Sequence, residues 1–195
     1  MIKFTACMIP ARKGSKRCPG KNTRPFLGPS LLERAIELAV ASNLFHRVIV
    51  SSDDEEALRI ADRYGVIPHW RPARLATDDA DTEAVIAYIA KQFPEYHDMC
   101  CLYTQAGAFI TPQMLEFSYF VNYDFGKPLV SYSGDKDAGQ FYWIPVLRFL
   151  TQWATGIELL QMDHDRYDLN PERVQDINTE EDWTVAEEKY RRLNP

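Results

Sequence analysis

The chain has 195 residues, 46% of them hydrophobic, and a formal net charge of -6. That length supports one domain over 1–195 with a full core, and the acidic balance excludes a general nucleic-acid binder, which needs a basic face. No apolar run approaches the roughly 18 residues of a membrane span, and the start Met1-Ile2-Lys3-Phe4 turns polar too soon for a signal peptide, so a cytoplasmic protein with no membrane partner is expected.

Phe4 to Ile9 reads as the first strand, and Pro29 to Ser42 has helical spacing at Leu32, Ala35, Ile36, Ala39 and Val40. Arg47 to Ser52 is a short buried strand. Asp53 or Asp54 can cap the helix after it, and Gly65 can end that helix. Val66 to Trp70 is a third strand, Thr82 to Phe93 a helix, and Met99 to Tyr103 another buried strand. Thr111 with Pro112 opens a further helix. Leu129 to Ser133, Gln140 to Ile144 and Arg173 to Ile177 read as strands, and Thr179 to Asp182 starts the last helix as a capping box. Strands alternating with helices predict an α/β fold, a Rossmann-like, mostly parallel sheet flanked by helices. Such sheets bind ligands beyond the carboxyl ends of their strands. That rule gathers the first loop, Ser51 to Asp54, Thr104-Gln105 and Asp176 on one edge.

The four cysteines have no C-x-x-C and no zinc spacing, and they read as free thiols in a reducing compartment. Cys100 and Cys101 would face opposite sides of a strand. Cys18 lies among cations that would favour its thiolate. His46, His69, His97 and His164 form no cluster and read as surface or packing residues.

The first loop concentrates the chemistry. Ile9-Pro10-Ala11-Arg12-Lys13-Gly14-Ser15-Lys16-Arg17-Cys18-Pro19-Gly20-Lys21-Asn22 carries five basic residues and no acid. A strand, a Gly- and Lys-rich loop and then a helix make a phosphate-binding arrangement. The P-loop pattern fails, because Gly14 and Gly20 are one residue too far apart and Asn22 stands where a Ser or Thr is needed. G-x-G-x-x-G is absent.

The loop resembles the signature of the acylneuraminate cytidylyltransferases (CMP-sialic acid synthetases), close to I-P-A-R-G-G-S-K-x-x-P-x-K-N, with Lys13 in place of the first paired glycine. Leu44 to Glu56 and Arg71-Pro72-Ala73-Arg74-Leu75-Ala76-Thr77-Asp78 resemble the next two blocks. Asp137-Ala138-Gly139-Gln140-Phe141-Tyr142-Trp143 and Arg173 to Trp183 are most similar to the pseudaminic acid branch. The resemblance implies a nucleotidyltransferase fold and transfer of CMP from CTP to the anomeric hydroxyl of a nine-carbon acidic sugar, with release of pyrophosphate. It implies Mg²⁺ as cofactor, Arg12, Lys21 and Asp176 as catalytic residues, and nucleotide contacts from Ala11, Arg12, Gly14, Ser15, Lys16, Lys21, Asn22 and Arg71. Gln105, Gln140 and Tyr142 would face the sugar, and Asp176 with Asn178 would hold the metal.

Three departures stand beside it. Asn178 replaces the second aspartate of the family's Asp-Ile-Asp. Gly107 or Ala108 stands where the fourth block has proline. The segment before Asp137 is short by a few dozen residues, so the arm that carries dimerisation and part of the sugar site is shortened and an implied homodimer is weakened. Two alternatives follow: a diverged CTP- or CMP-binding member with weak or no transfer, and a cytidylyltransferase for another acid such as sialic, legionaminic or ketodeoxyoctonic acid.

Overall fold

The computed structural model describes residues 4–77, 79–122, 124 and 126–195; Asp78 of the third block lies outside them. Seven strands form one sheet: β1 (Thr5–Pro10), β2 (Arg47–Ser52), β3 (Ile67–Trp70), β4 (Asp98–Leu102), β5 (Leu129–Ser133), β6 (Lys136–Pro145) and β7 (Asp165–Asp168). Their order is β3-β2-β1-β4-β6-β5-β7. The pairs β1/β2, β1/β4, β2/β3 and β5/β7 are parallel, while β4/β6 and β5/β6 are antiparallel. The sheet is therefore mostly parallel, as the alternation of elements predicts.

Helices α1 (Leu31–Ala41), α2 (Glu55–Arg63), α3 (Thr82–Gln92), α4 (Ala106–Phe109), α5 (Pro112–Phe117), α6 (Val146–Trp153) and α7 (Glu180–Leu193) flank it. The two-residue period of β1 feeds both sides. Cys7 and Ile9 pack with Leu32 and Ile36 of α1 and Ile60 of α2, whereas Ala6 and Met8 pack with Val85 and Ile89 of α3 and Phe149 of α6. Cys100 and Cys101 divide between the same two layers, as expected of adjacent strand residues.

Local chemistry sets the helix starts. Ser30 accepts from the Glu33 N–H and the Glu33 carboxylate accepts from the Ser30 N–H, a capping box. Asp54 caps α2, Thr111 caps α5 with Pro112 in its first turn, and Thr179 with Asp182 forms the expected box at α7. Gly65 follows α2 at φ +68°, where a Cβ is disfavoured.

One expected strand is absent. Residues 171–173 form a 3₁₀ turn, and 174–178 run on without joining the sheet. Ile177 instead packs with Phe26, Leu31 and Trp183 in a third cluster under the first loop. The edge strand beside β5 is β7, Asp-Arg-Tyr-Asp, which shows no apolar run because its alternate residues face solvent. β5 and β6 are joined by the turn Gly134-Asp135, where the family resemblance implies an arm.

Candidate active site

Topology converges on one edge. The parallel strands β1, β2 and β4 end there, and because β6 runs antiparallel to β4, with Leu102 opposite Phe141, the start of β6 reaches the same edge. The result is a cavity of about 910 Å³. That lies near the top of the range for small-molecule pockets, ~300–1,000 Å³.

The first loop forms its cationic wall. Ser52 Oγ donates to the Ala11 carbonyl, and the Ala11 N–H donates to the Ser51 carbonyl at 3.0 Å, so the loop leaves β1 pinned to β2. The Lys13 N–H donates to Asp53 Oδ1 at 2.8 Å, and the Ser15 N–H folds back to the Lys13 carbonyl at 2.9 Å. Lys13 itself is exposed and does not line the cavity, so its extra side chain does not crowd it. The far end of the loop is held by Asn22, whose amide donates to the Arg12 carbonyl at 2.9 Å and accepts from Thr104 Oγ1 at 2.8 Å.

Arg12, Ser15, Lys16, Lys21, Asn22, Arg71, Gln105, Asp176 and Asn178 all line this cavity. Arg12 Nη1 donates to the Thr77 carbonyl at 3.1 Å. Lys21 Nζ donates to the Ile177 carbonyl at 2.7 Å, which ties the loop to the 176–178 segment. Burial pushes the Lys21 ammonium down from its ordinary range, while Asp176 opposes the shift. Arg71 is 4% exposed, with Nη2 on the Ser51 carbonyl at 2.7 Å. Burial pushes it down to about 10, so it stays charged at neutral pH. The site therefore holds desolvated cations, whose attraction for an anion is stronger than at an open surface.

Other placements differ from the sequence reading. Ala11 is buried beneath the loop, and Gly14 is exposed in it with open space around its Cα. Gln140 and Tyr142 are buried in β6 and do not line the cavity. Cys18 is fully buried, and its desolvation raises the thiol above its ordinary value, outweighing Arg24 and Lys21. The cations around it therefore do not make it a ready thiolate. Tyr103, Thr82, Ser133, Lys136 and Asp137 line the cavity without having been singled out. For Lys136 and Asp137 the signal was the antiparallel run of β6, which the carboxyl-end rule does not cover; Ser133 ends β5, which runs in the same direction as β4.

The C-terminal helix closes the loop from outside. Arg24 forms a two-pronged pair with Glu180, both contacts at 2.9 Å, and its guanidinium lies 3.6 Å from the centre of the Trp183 ring. At the segment before α7, Asn178 Nδ2 donates to Asp176 Oδ2 at 2.5 Å.

A family model described as cytidylyltransferase matches residues 6–116. The chain belongs to the cytidylyltransferase family. It is 44% identical over 105 residues to a pseudaminic acid cytidylyltransferase of Campylobacter jejuni, covering 51% of this chain and 45% of that one. It is 35% identical over 130 residues to a CMP-N,N'-diacetyllegionaminic acid synthase of Legionella pneumophila, covering 65% and 56%. These matches span about half the length of those relatives. The fold of this cytidylyltransferase-family chain is that of a CMP:2-keto-3-deoxy-manno-octonic acid synthetase solved with CTP, at TM-score 0.78 and 13% identity over 98% of this chain and 100% of that one. It is equally that of a 4-diphosphocytidyl-2C-methyl-D-erythritol synthase from Anaerococcus prevotii, at TM-score 0.72 and 12% identity over 97% and 96%.

Proposed function

We propose that this cytidylyltransferase-family protein transfers CMP from CTP to the anomeric hydroxyl of a nine-carbon acidic sugar, pseudaminic acid or a relative, and releases pyrophosphate. The observation that carries the proposal is one cavity of about 910 Å³ lined by the cations Arg12, Lys16, Lys21 and Arg71, the last of them buried, together with Tyr103, Gln105 and Asp137.

Arg12, Lys16 and Lys21 hold the triphosphate and offset the charge that builds on the leaving pyrophosphate. Ser15 and the loop backbone beside Gly14 and Ala11 approach the phosphates. Arg71 and Asn22 take the nucleoside side; both are fixed in advance by Ser51, Thr104 and the Arg12 carbonyl, so little ordering remains at binding. The sugar hydroxyl forms the new O–P bond at the α-phosphate, its proton passes to solvent or a neighbouring base, and the bond to the β-phosphate oxygen breaks.

The donors at 176–178 suit Mg²⁺, which commonly takes one or two protein carboxylates plus substrate phosphates and water. Asp176 is an exposed carboxylate on the cavity rim, and the Asn178 side chain is its immediate neighbour. Mg²⁺ bound there would supply charge neutralisation at the phosphates. The four buried, unpaired cysteines support a reducing, cytoplasmic setting.

Asn178 favours a second reading, a CTP- or CMP-binding member with little transfer, since an amide adds no charge at the metal. One experiment separates the two: incubation with Mg²⁺, CTP and pseudaminic, sialic, legionaminic or ketodeoxyoctonic acid, with pyrophosphate measured. Release with one of these acids supports transfer. CTP binding without release with any of them refutes it.

A further inference from the structure

The three residues expected to touch the sugar share an unexpected target. Gln105 Nε2 donates to the Gly139 carbonyl at 2.9 Å. Gln140 Nε2 donates to the Ala138 carbonyl at 2.9 Å. Tyr142 Oη donates to Asp137 Oδ2 at 2.5 Å. All three hold the first residues of β6, and Asp137, Ala138 and Gly139 line the cavity with Gln105 beside them, whereas Gln140 and Tyr142 are buried behind it. This stretch is further set by Gly139 at φ +57° and by its N–H, which donates to Asp137 Oδ1 at 2.9 Å.

From this arrangement we infer that Asp137 is the residue that binds the hydrogen-bond donors of the acceptor sugar, its hydroxyl and acylamido N–H groups, with Gln105, Gln140 and Tyr142 as positioning residues; the inference rests on the transfer reading above. Each carboxylate oxygen has two acceptor sites and spends one on the protein, so one on each remains for a ligand. Both protein donors are locked. One is a backbone N–H. The other is a phenol that burial, and Tyr103 beside it, hold well above its ordinary range, so it stays protonated and keeps donating. An anionic acceptor group among the residues that line the cavity repels phosphate and a substrate carboxylate. It is therefore turned toward the part of the second substrate that carries neither. That part holds the hydroxyls and acylamides in which nine-carbon sugar acids differ from one another, so Asp137 is also a specificity residue.

Steady-state kinetics with pyrophosphate release, varying CTP and the acceptor separately over the four acids, test the assignment. Asp137→Asn keeps the size, loses the charge and turns one acceptor atom into a donor. The KM for the acceptor should rise about tenfold or more, the usual scale for a lost hydrogen bond to a charged group, with the KM for CTP within about twofold. Tyr142→Phe removes one hydroxyl and leaves Asp137 in place. It should raise the acceptor KM by a smaller factor, about two to five, again without moving CTP. An unchanged acceptor KM in both variants overturns the assignment, as does a rise in the KM for CTP that keeps pace with that for the acceptor. A wild-type protein inert with every acid refutes the transfer reading itself, whereas an active wild type with an unaffected Asp137→Asn refutes Asp137 alone.

Discussion

Gly107 offers the sharpest test of how the site is built. It sits in α4, the short helix that follows the Thr104-Gln105 end of β4, and it packs against the first turns of α1. A Cβ at this position would lie 2.3 Å from the Ala35 nitrogen, 2.4 Å from the Arg34 carbonyl carbon and 2.7 Å from the Ala35 Cα. All three are backbone atoms of a buried helix, so no side chain can swing away. In an unconstrained helix Gly→Ala gains up to ~1 kcal/mol. Here the overpacking penalty, typically ~1–3 kcal/mol where neighbours can shift and larger against backbone, outweighs that gain. We expect Gly107→Ala to lose about 2 kcal/mol net, which for a chain of this size is a fall in Tm of roughly 4–8 °C. Displacement of α4 also moves Thr104, which holds Asn22, so CTP should bind more weakly in calorimetry. Gly14→Ala is the control: nothing lies within 4 Å of its Cβ position, and its stability should stay within ~0.5 kcal/mol of wild type. A Gly107→Ala protein as stable as the parent would show that α1 and α4 are not packed as closely as described, and the account of Asn22 would fall with it.

Asp176→Ala should lower turnover by about a hundredfold or more while CTP binding survives, because the loop cations remain; turnover equal to wild type would remove Asp176 from the site. Asn178→Asp brings a second carboxylate to the place where an amide now donates to Asp176. It should lower the Mg²⁺ concentration for half-maximal activity and also lower Tm in the absence of Mg²⁺; neither change appearing would mean that the pair does not meet the metal. Glu83, in the first turn of α3, has both carboxylate oxygens on the Leu159 N–H, at 2.7 and 2.8 Å. Burial raises it from its ordinary 4.5 to about 7, against the pull of that N–H. The folded chain thus holds this proton longer than the unfolded chain, and stability declines as pH rises between about 4.5 and 7. Glu83→Gln should remove that decline, so its Tm gains on wild type between pH 5 and pH 8; parallel Tm profiles would refute this.

Most of the parallel half of the sheet is legible in the sequence. β1, β2 and β4 are apolar runs because both of their faces are covered, and the helices between them carry caps and glycines that mark their ends. Legibility fails where that physics changes. β7 is an edge strand of charged residues, so no run announces it. Val174 and Ile177 look like strand residues but are apolar for other reasons, Ile177 to fill the cluster beneath the first loop. The cationic half of the site follows from loop composition, since charge and glycine in one loop have few structural uses. Its other half does not, because the register of an antiparallel strand decides which of Asp137, Gln140 and Tyr142 faces the cavity. The resemblance marked the block 137–143, and only the fold could tell which of its residues line the cavity and which are buried behind them.

The clasp between residues 21–34 and the C-terminal stretch 177–190 has a consequence for how the protein comes into being. Lys21 of the first loop with Ile177, Arg24 just beyond the loop with Glu180, and Arg34 of α1 with Tyr190 are each 156 residues apart. On the ribosome, at ~5–20 residues per second, the loop emerges about 8–30 s before its partners exist. During that interval Lys21 has not yet met the carbonyl that holds it, nor Arg24 its Glu180 and Trp183 partners, and the basic residues are exposed to any polyanion nearby. Substrate affinity should thus arrive late and all at once, when the last helix docks, which makes nucleotide binding a direct reporter of finished folding.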